Sequence, residues 1–588
     1  MELFLIDAIG PFFNKHFFHH HKRKTINWSK IPFTYLCTHG PEREAQFSQI
    51  RQALAEFAQR VNAVGYNAVS LDDLVHLADH PWYEPLIRSR IAVFQEEFGQ
   101  LFKIIEEHGL ALYITADVFS YSVELKRRLG ASPSKTGAFM AELIDQFLTD
   151  NPNVAGIILR IGESDGLDLH SAADFTSELH IKTPRQANRL LRTLLPVFEK
   201  HQRRLILRTW TVGAYQIGDL IWHRRTFGQV LDGIHSSALV LSMKYGESDF
   251  FRYLPLNRNF FRTGIPKLIE LQARREYEGC GEYPSFIGWD YEHYAHELKQ
   301  APNMLGISVW CQTGGWVPFR RLAYIGNGSL WTEINAFVTL KLFRDRLSVE
   351  KALSDYCQKT LHLPEALDAS YYEALLQFFR LNDEVIKELL YTEEFARQKL
   401  FFRRVRIPPL ISVYWNTIFI NHSMRKILRH FVHDPESCVR AGYSALTKIR
   451  QLQQLAEQLQ LPVDDIIYMK RTFKILALAR QYYFHPYDEA ISQRLKKAKK
   501  KYKKAYPPGT RPRYAIKLSF KPFRLRRRFL AWAFALLLRR QRAYRLLDRV
   551  FSIHLLSFMY RLLRTTVRSK WIPKFARKRA MGIDTVLR

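Results

Sequence analysis

The sequence predicts an α/β fold: a (β/α)8 TIM barrel, then an α-helical domain, then a basic amphipathic helical tail. Three observations predict it. Eight short, apolar, β-rich runs fall in roughly the first half of the 588 residues, most of them separated by helix-like stretches. Apolar residues then recur at i, i+3, i+4 spacing to about residue 490. Charge is lopsided as well. Of a net +32, the segment Arg494 to Arg588 holds 30 Lys and Arg against two acids, so the first 493 residues are nearly neutral.

Residues 1–31 read as an aromatic and basic arm containing "NKHFFHHHKRK". His16, His19, His20 and His21 fit no compact ligand set, and Lys22, Arg23 and Lys24 repel a cation, so no metal site is expected. In "MELFLIDAIGPFF", Glu2 and Asp7 stand where a signal peptide has its basic start, so none is expected.

The barrel is assigned to 32–325. Its eight runs are "FTYLCTHG", "NAVSLDDL", "LALYITADVF", "VAGIILRIGESDG", "RLILRTWTVG", "ALVLSMKYGESDFF", "PKLIELQ" and "MLGISVWCQTGGW". Helices are expected at 43–62, 89–108, 136–149, 184–201 and 217–231. This length suits a (β/α)8 barrel of about 250 residues. No glycine-rich phosphate turn follows the first run, which argues against an open doubly wound sheet.

The helical domain is assigned to 326–493 and the cationic tail to 494–588. "RLKKAKKKYKKAYPPGTRPRY", with Pro507, Pro508 and Gly509, reads as a linker. Beyond it, Phe529–Leu538 are ten consecutive apolar residues flanked by arginines. As a helix that run spans about 15 Å, half of a ~30 Å hydrocarbon core. Residues ~523–569 are therefore expected to lie in an anionic membrane surface without crossing it. The apolar content argues against nucleic acid as the partner. Five scattered cysteines (Cys37, Cys280, Cys311, Cys357, Cys438) with no CxxC pair suit reduced thiols. The expected location is cytoplasmic, peripheral on the inner face of the membrane.

Polar residues cluster just after the runs: His39, Asp72 and Asp73, Asp117, Glu163, Trp210, then Lys244 and Asp249. Glu270 lies in the seventh run and Trp310 closes the eighth. In a barrel these are the C-terminal strand ends, where active sites are built. Glycoside hydrolysis needs a protonated carboxyl at the leaving oxygen and a carboxylate on the opposite face, about 6.5–9.5 Å apart in inverting enzymes. Glu163 on one side and the pair Asp249 and Glu270 on the other suit one acid and a water-activating base. Trp210, Trp289, Trp310 and Trp316 are candidate sugar-stacking platforms, with capping of the barrel core the other reading of Trp310, and the substrate class is carbohydrate.

Three elements carry a resemblance: "GESDG" with Glu163, "KYGESDF" with Lys244, Gly246, Asp249 and Phe250, and "ELQARREYEG" with Glu270, Gln272, Glu276, Tyr277 and Gly279. In order and spacing they resemble the glycoside hydrolase family 67 α-glucuronidases. The likeness covers roughly residues 150–280. It implies inverting hydrolysis of a glucuronoside without metal or cofactor, with Glu163 as acid and Asp249 with Glu270 activating water. It further implies that Arg208 and Lys244 hold the uronic acid carboxylate. A second family lysine falls on Leu159, and Arg160 beside it is the substitute. The rival reading is a non-catalytic glycan-binding scaffold in polysaccharide or cell-envelope glycan assembly; the geometry of the carboxylates separates the two.

Overall fold

The computed structural model describes residues 1–8, 31, 33, 36–117, 120–130, 132–161, 175–177, 181–210, 217, 220, 224–311, 321, 323–326, 328–360, 369–397, 401–402, 405–406, 410–414, 416–428, 432–486, 488–520 and 562. Glu163 and all but Leu562 of the 523–569 segment lie outside them.

Eight parallel strands close a barrel: β1 (Leu3–Asp7), β2 (Ala68–Leu71), β3 (Ala111–Asp117), β4 (Val154–Arg160), β5 (Arg204–Arg208), β6 (Leu239–Lys244), β7 (Lys267–Gln272) and β8 (Met304–Trp310). Seven of them coincide with the runs above. The first does not. The barrel opens with Leu3–Asp7, inside the segment assigned to an arm, which pairs with β8 at Leu3–Gly306 and with β2 at Leu5–Ala68. The described residues of the 33–40 run form no strand. Phe33 instead packs against Phe94 and Phe98 with ring centroids 5.2 and 5.4 Å away, and helix α1 (Gly40–Val64) begins at once. Asp7 therefore takes the strand-end position expected for His39, which sits at the start of α1.

Strand alternation sorts the side chains. Leu3, Leu5, Ala68, Tyr113, Ile158, Ile206, Val240 and Leu268 fill the barrel interior as one apolar cluster. The residues two further along each strand continue the inward rows: Asp7, Ser70, Thr115, Arg160, Arg208, Ser242 and Glu270. The interior thus turns from apolar to polar toward its C-terminal end. Two glycines mark close approaches at irregular pairings. A Cβ on Gly306 would meet the Leu3 carbonyl oxygen at 1.7 Å, and one on Gly156 would meet that of Arg204 at 2.2 Å.

Outside run α2 (Pro85–Glu107), α3 (Pro133–Asp150), α4 (Pro184–His201), α5 (Arg224–Leu231) and α6 (Gly288–Glu297). Proline in the first turn fixes the start of α1 through α4, and Thr183 with Gln186 closes a capping box on α4.

The helical part follows with α7 (Leu330–Leu340), α8 (Val349–Thr360), α9 (Ala369–Val385), α10 (Pro435–Gln458), α11 (Val463–Phe484) and α12 (Glu489–Ala505). It is joined to the barrel by a buried arginine. Arg252 contacts Glu278 (3.1 Å) from the loop after β7, Asp290 (3.2 Å) of α6 and Asp383 (2.5 Å) of α9. The lysine-rich stretch read as a linker is α12, with Ile491, Leu495 and Tyr502 buried. Past it, Ala515–Ser519 adds a parallel strand to Thr417–Asn421. Helix and strand thus continue past 493, within the segment assigned to the tail, and the described residues run on to Phe520. Among the described residues no helix is long and apolar enough to cross a membrane.

Candidate active site

The mouth is built from the ends of β3 to β8 and the loop after β7. Arg208, the last residue of β5, grips Glu270 of β7 with both ends of its guanidinium, Nε to Oε1 at 2.9 Å and Nη2 to Oε2 at 3.0 Å. The Ser242 hydroxyl donates to Oε1 at 2.8 Å. Trp310 at the end of β8 lies under the guanidinium, 4.3 Å from ring centroid to Cζ. Burial alone pushes the Glu270 carboxyl up, but Arg208, Lys244 and Ser242 outweigh it and hold the group below its ordinary range. Arg160 is bound in the same manner to Asp117, at 2.8 and 3.3 Å. Beneath these pairs is a cavity of about 20 Å³ lined by Asp7, Ser70, Thr115, Ser242 and Trp310 among others, room for one water.

Above that layer lies a second acidic pair. Lys244 ends β6 and bonds Asp249 Oδ1 at 2.5 Å. The Tyr277 hydroxyl donates to Oδ2, and the Phe250 amide to Oδ1 at 3.0 Å. The Lys244 ammonium also stands 3.8 Å from the Trp210 ring centroid and 4.4 Å from that of Phe250. Asp249 is 16% exposed at its side chain, so it meets solvent. Next to it Glu276 is buried, bonded through its amide to Gln272 Oε1 (2.8 Å) and through Oε2 to Gln272 Nε2 (3.3 Å). Oε1 has no hydrogen-bond partner among the described residues. Burial, and after it the Asp249 charge, raise the Glu276 carboxyl from 4.5 to about 8.

Arg160, Arg208, Lys244, Asp249, Glu270, Trp210 and Trp310 are thus described residues at one end of the barrel. Glu270, expected to activate water with Asp249, is held differently from Asp249. Both its oxygens are committed to Arg208 and Ser242, which suits a carboxylate that orients an arginine rather than one that holds a water. The acid beside Asp249 is Glu276. Its sequence signal was present in the "REYEG" element, but Glu270, lying in the strand itself, drew the catalytic role. Asp7 was missed because its strand was. Glu163 is not among the described residues, so its separation from Asp249 is not measured. Among the described residues no group of three or more His, Cys, Asp or Glu side chains is placed to hold a metal ion.

No protein-family model matches the sequence, and no curated protein does. Solved structures do match in fold. A glycoside hydrolase family 138 enzyme targeting pectin rhamnogalacturonan II superposes with a TM-score of 0.50 at 13% identity, over 82% of this chain and 57% of that one. An O-GlcNAc hydrolase mutant of Thermobaculum terrenum gives 0.37 at 9% identity, over 77% and 86%. The endo-β-1,4-glucanase Cel5B of Bacillus halodurans gives 0.29 at 12%, over 44% and 50%. This chain therefore spans little more than half the length of the family 138 enzyme. At such identities the likeness is one of fold alone, and of these three only the family 138 enzyme reaches a TM-score of 0.50.

Proposed function

We propose that the protein is a glycosidase that hydrolyses a uronic-acid-containing glycan with inversion, working at a membrane surface. The observation that carries this reading is the Asp249–Glu276 pair. One carboxylate is partly exposed and positioned by Lys244, Tyr277 and a backbone amide. The other is buried, and its carboxyl is pushed up to about 8, which favours its protonated form. Asp249 serves as the base that takes a proton from water attacking the anomeric carbon. Glu276 fixes that water or Asp249 by a hydrogen bond that only a protonated carboxyl can donate. Glu163 supplies the proton to the leaving oxygen. Lys244, Arg208 and Arg160 give the mouth its affinity for a substrate carboxylate, with Glu270 and Asp117 holding the two guanidinium planes in place. The fold shared with a pectin-targeting glycoside hydrolase adds support. Peripheral attachment to the inner face of the membrane, through the 523–569 segment, is part of the same proposal.

A second reading, a non-catalytic glycan-binding barrel, draws on one observation: all three mouth cations are already paired with acids, over a cavity of only about 20 Å³. A hydrolysis screen with aryl α- and β-glycosides, uronides included, decides between them. Turnover with release of the inverted anomer is expected, and Asp249→Asn and Glu163→Gln should each lower it by roughly 10²-fold or more. Binding of uronides without turnover of any of them favours the scaffold.

A further inference from the structure

The lysine-rich helix has no role in the chemistry above. From Arg494 to Lys504 it carries eight Lys and Arg and no acid. Lys496, Lys497, Lys500, Lys501, Lys503 and Lys504 are exposed. They form adjacent rows, 497, 501 and 504 beside 496, 500 and 503, opposite the buried Leu495 and Tyr502. Among the described residues none of these lysines is in an ion pair, and the nearest acids in sequence are Asp488 and Glu489 at the far end of the helix. Lys499 is held below its usual value, by partial burial and then by the neighbouring Lys503 charge. What holds the helix together against this repulsion is its inner face, where the Tyr502 hydroxyl meets Tyr468 at 3.2 Å and Leu495 is fully buried.

We infer that this lysine face is a docking surface for an anionic lipid bilayer, separate from the apolar segment that follows it. The inference rests on the membrane part of the proposed function and gives it a second, independent contact. Two features select a bilayer over a soluble polyanion. The first is where the chain leaves the body. Phe520, the last residue before 521–588, lies 5.9 Å from the Lys496 ammonium and 5.2 Å from Tyr482. The segment with the ten-residue run Phe529–Leu538 thus departs beside the lysine rows. An apolar run finds no complement on a nucleic acid or an acidic glycan, but it does in hydrocarbon. The second is shape: the six exposed lysines from 496 to 504 lie in adjacent rows about 12 Å long on one side of a helix, a compact array suited to a plane of phosphates. The connection after α12 is seated on the loop that leaves β7 at the barrel mouth. Tyr514 meets Tyr283 at 3.2 Å, and Arg511 donates to the Glu282 carbonyl.

The test uses the full chain and unilamellar vesicles of equimolar phosphatidylglycerol and phosphatidylcholine, against pure phosphatidylcholine. Each lysine near an anionic leaflet is worth roughly fivefold in partitioning. The exposed quadruple variant K497Q/K500Q/K501Q/K504Q is expected to bind anionic vesicles at least ~50-fold more weakly, with an unchanged melting curve and a shallower salt dependence. A variant of the apolar run, L536S/L537S, should instead lose the salt-resistant part of binding. If the quadruple variant binds as the parent does, the lysine face is not the contact, and the apolar segment alone remains as the anchor. A parent chain that ignores anionic vesicles ends both. Binding of duplex DNA or polygalacturonate as tight as that of vesicles at equal salt, and lost in the quadruple variant, would overturn the choice of lipid.

Discussion

Glu276 and Glu278 stand two residues apart in one loop, both buried, and hold their protons in opposite ways. Glu278 lies among arginines. Arg275 and Arg252 bind its oxygens, Ser285 and Tyr391 donate to them, and the carboxyl is held far below its ordinary range although burial opposes this. Glu276 is pushed up to about 8 by burial and then by the Asp249 charge, which Lys244, Gln272 and Arg274 oppose without overcoming. The two clusters use the same residue types. The difference is balance: the cluster that joins the barrel to the helices satisfies its charges, while the one at the mouth keeps a deficit. A buried deficit of this kind costs stability and persists where it is used.

Breaking the balanced cluster should have the largest effect. Arg252→Met leaves Glu278, Asp290 and Asp383 without their shared partner and is expected to cost about 3–5 kcal/mol at neutral pH. Denaturant titration measures it. Because the folded Glu278 is depressed, its contribution is fully present above its unfolded value of 4.5 and fades as pH falls below it. The penalty of the substitution should shrink in acid accordingly.

The mouth should behave in the opposite sense. Glu276→Gln is expected to reduce kcat/KM on an active uronide by ~10²-fold or more while leaving the fold intact. With a raised folded pKa, the native state keeps a proton that the unfolded chain releases above about 4.5. The parent therefore loses stability as pH rises from 4.5 to about 8, by up to roughly 1.4 kcal/mol per unit. The glutamine variant should lack that slope; a variant with the same slope as the parent would falsify the assignment of the proton to Glu276. Asp249→Asn removes the second cause of the shift, and the remaining slope should end at a lower pH. The smallest effect expected is that of Trp310→Phe, which weakens the stack on Arg208 by about 0.5–1 kcal/mol and should be visible mainly in KM.

Seven barrel strands were legible because buried parallel strands are apolar, short and bounded by helices with proline at their starts. Leu3–Asp7 was not, since four apolar residues and an aspartate ahead of an aromatic, basic stretch carry the same signal as an interfacial arm. The lysine run looked like a linker because charge hid the three buried positions, Ile491, Leu495 and Tyr502, that make it an amphipathic helix. At the candidate site, Lys244 and Asp249 were read from the residues that follow the sixth run, and Arg208 from the family resemblance. The distinction between Glu270 and Glu276 was not readable, because it depends on which acid an arginine from another strand reaches.

The placement of β1 also sets the order in which the chain can finish folding. This strand is made first, yet one of its two edges pairs with Gly306 to Val309, some three hundred residues later. At about 5–20 residues per second, that edge waits on the order of 15–60 s on the ribosome for its partner. Until β8 emerges, the nascent sheet has two open margins, and the ring closes only when its oldest and youngest strands meet.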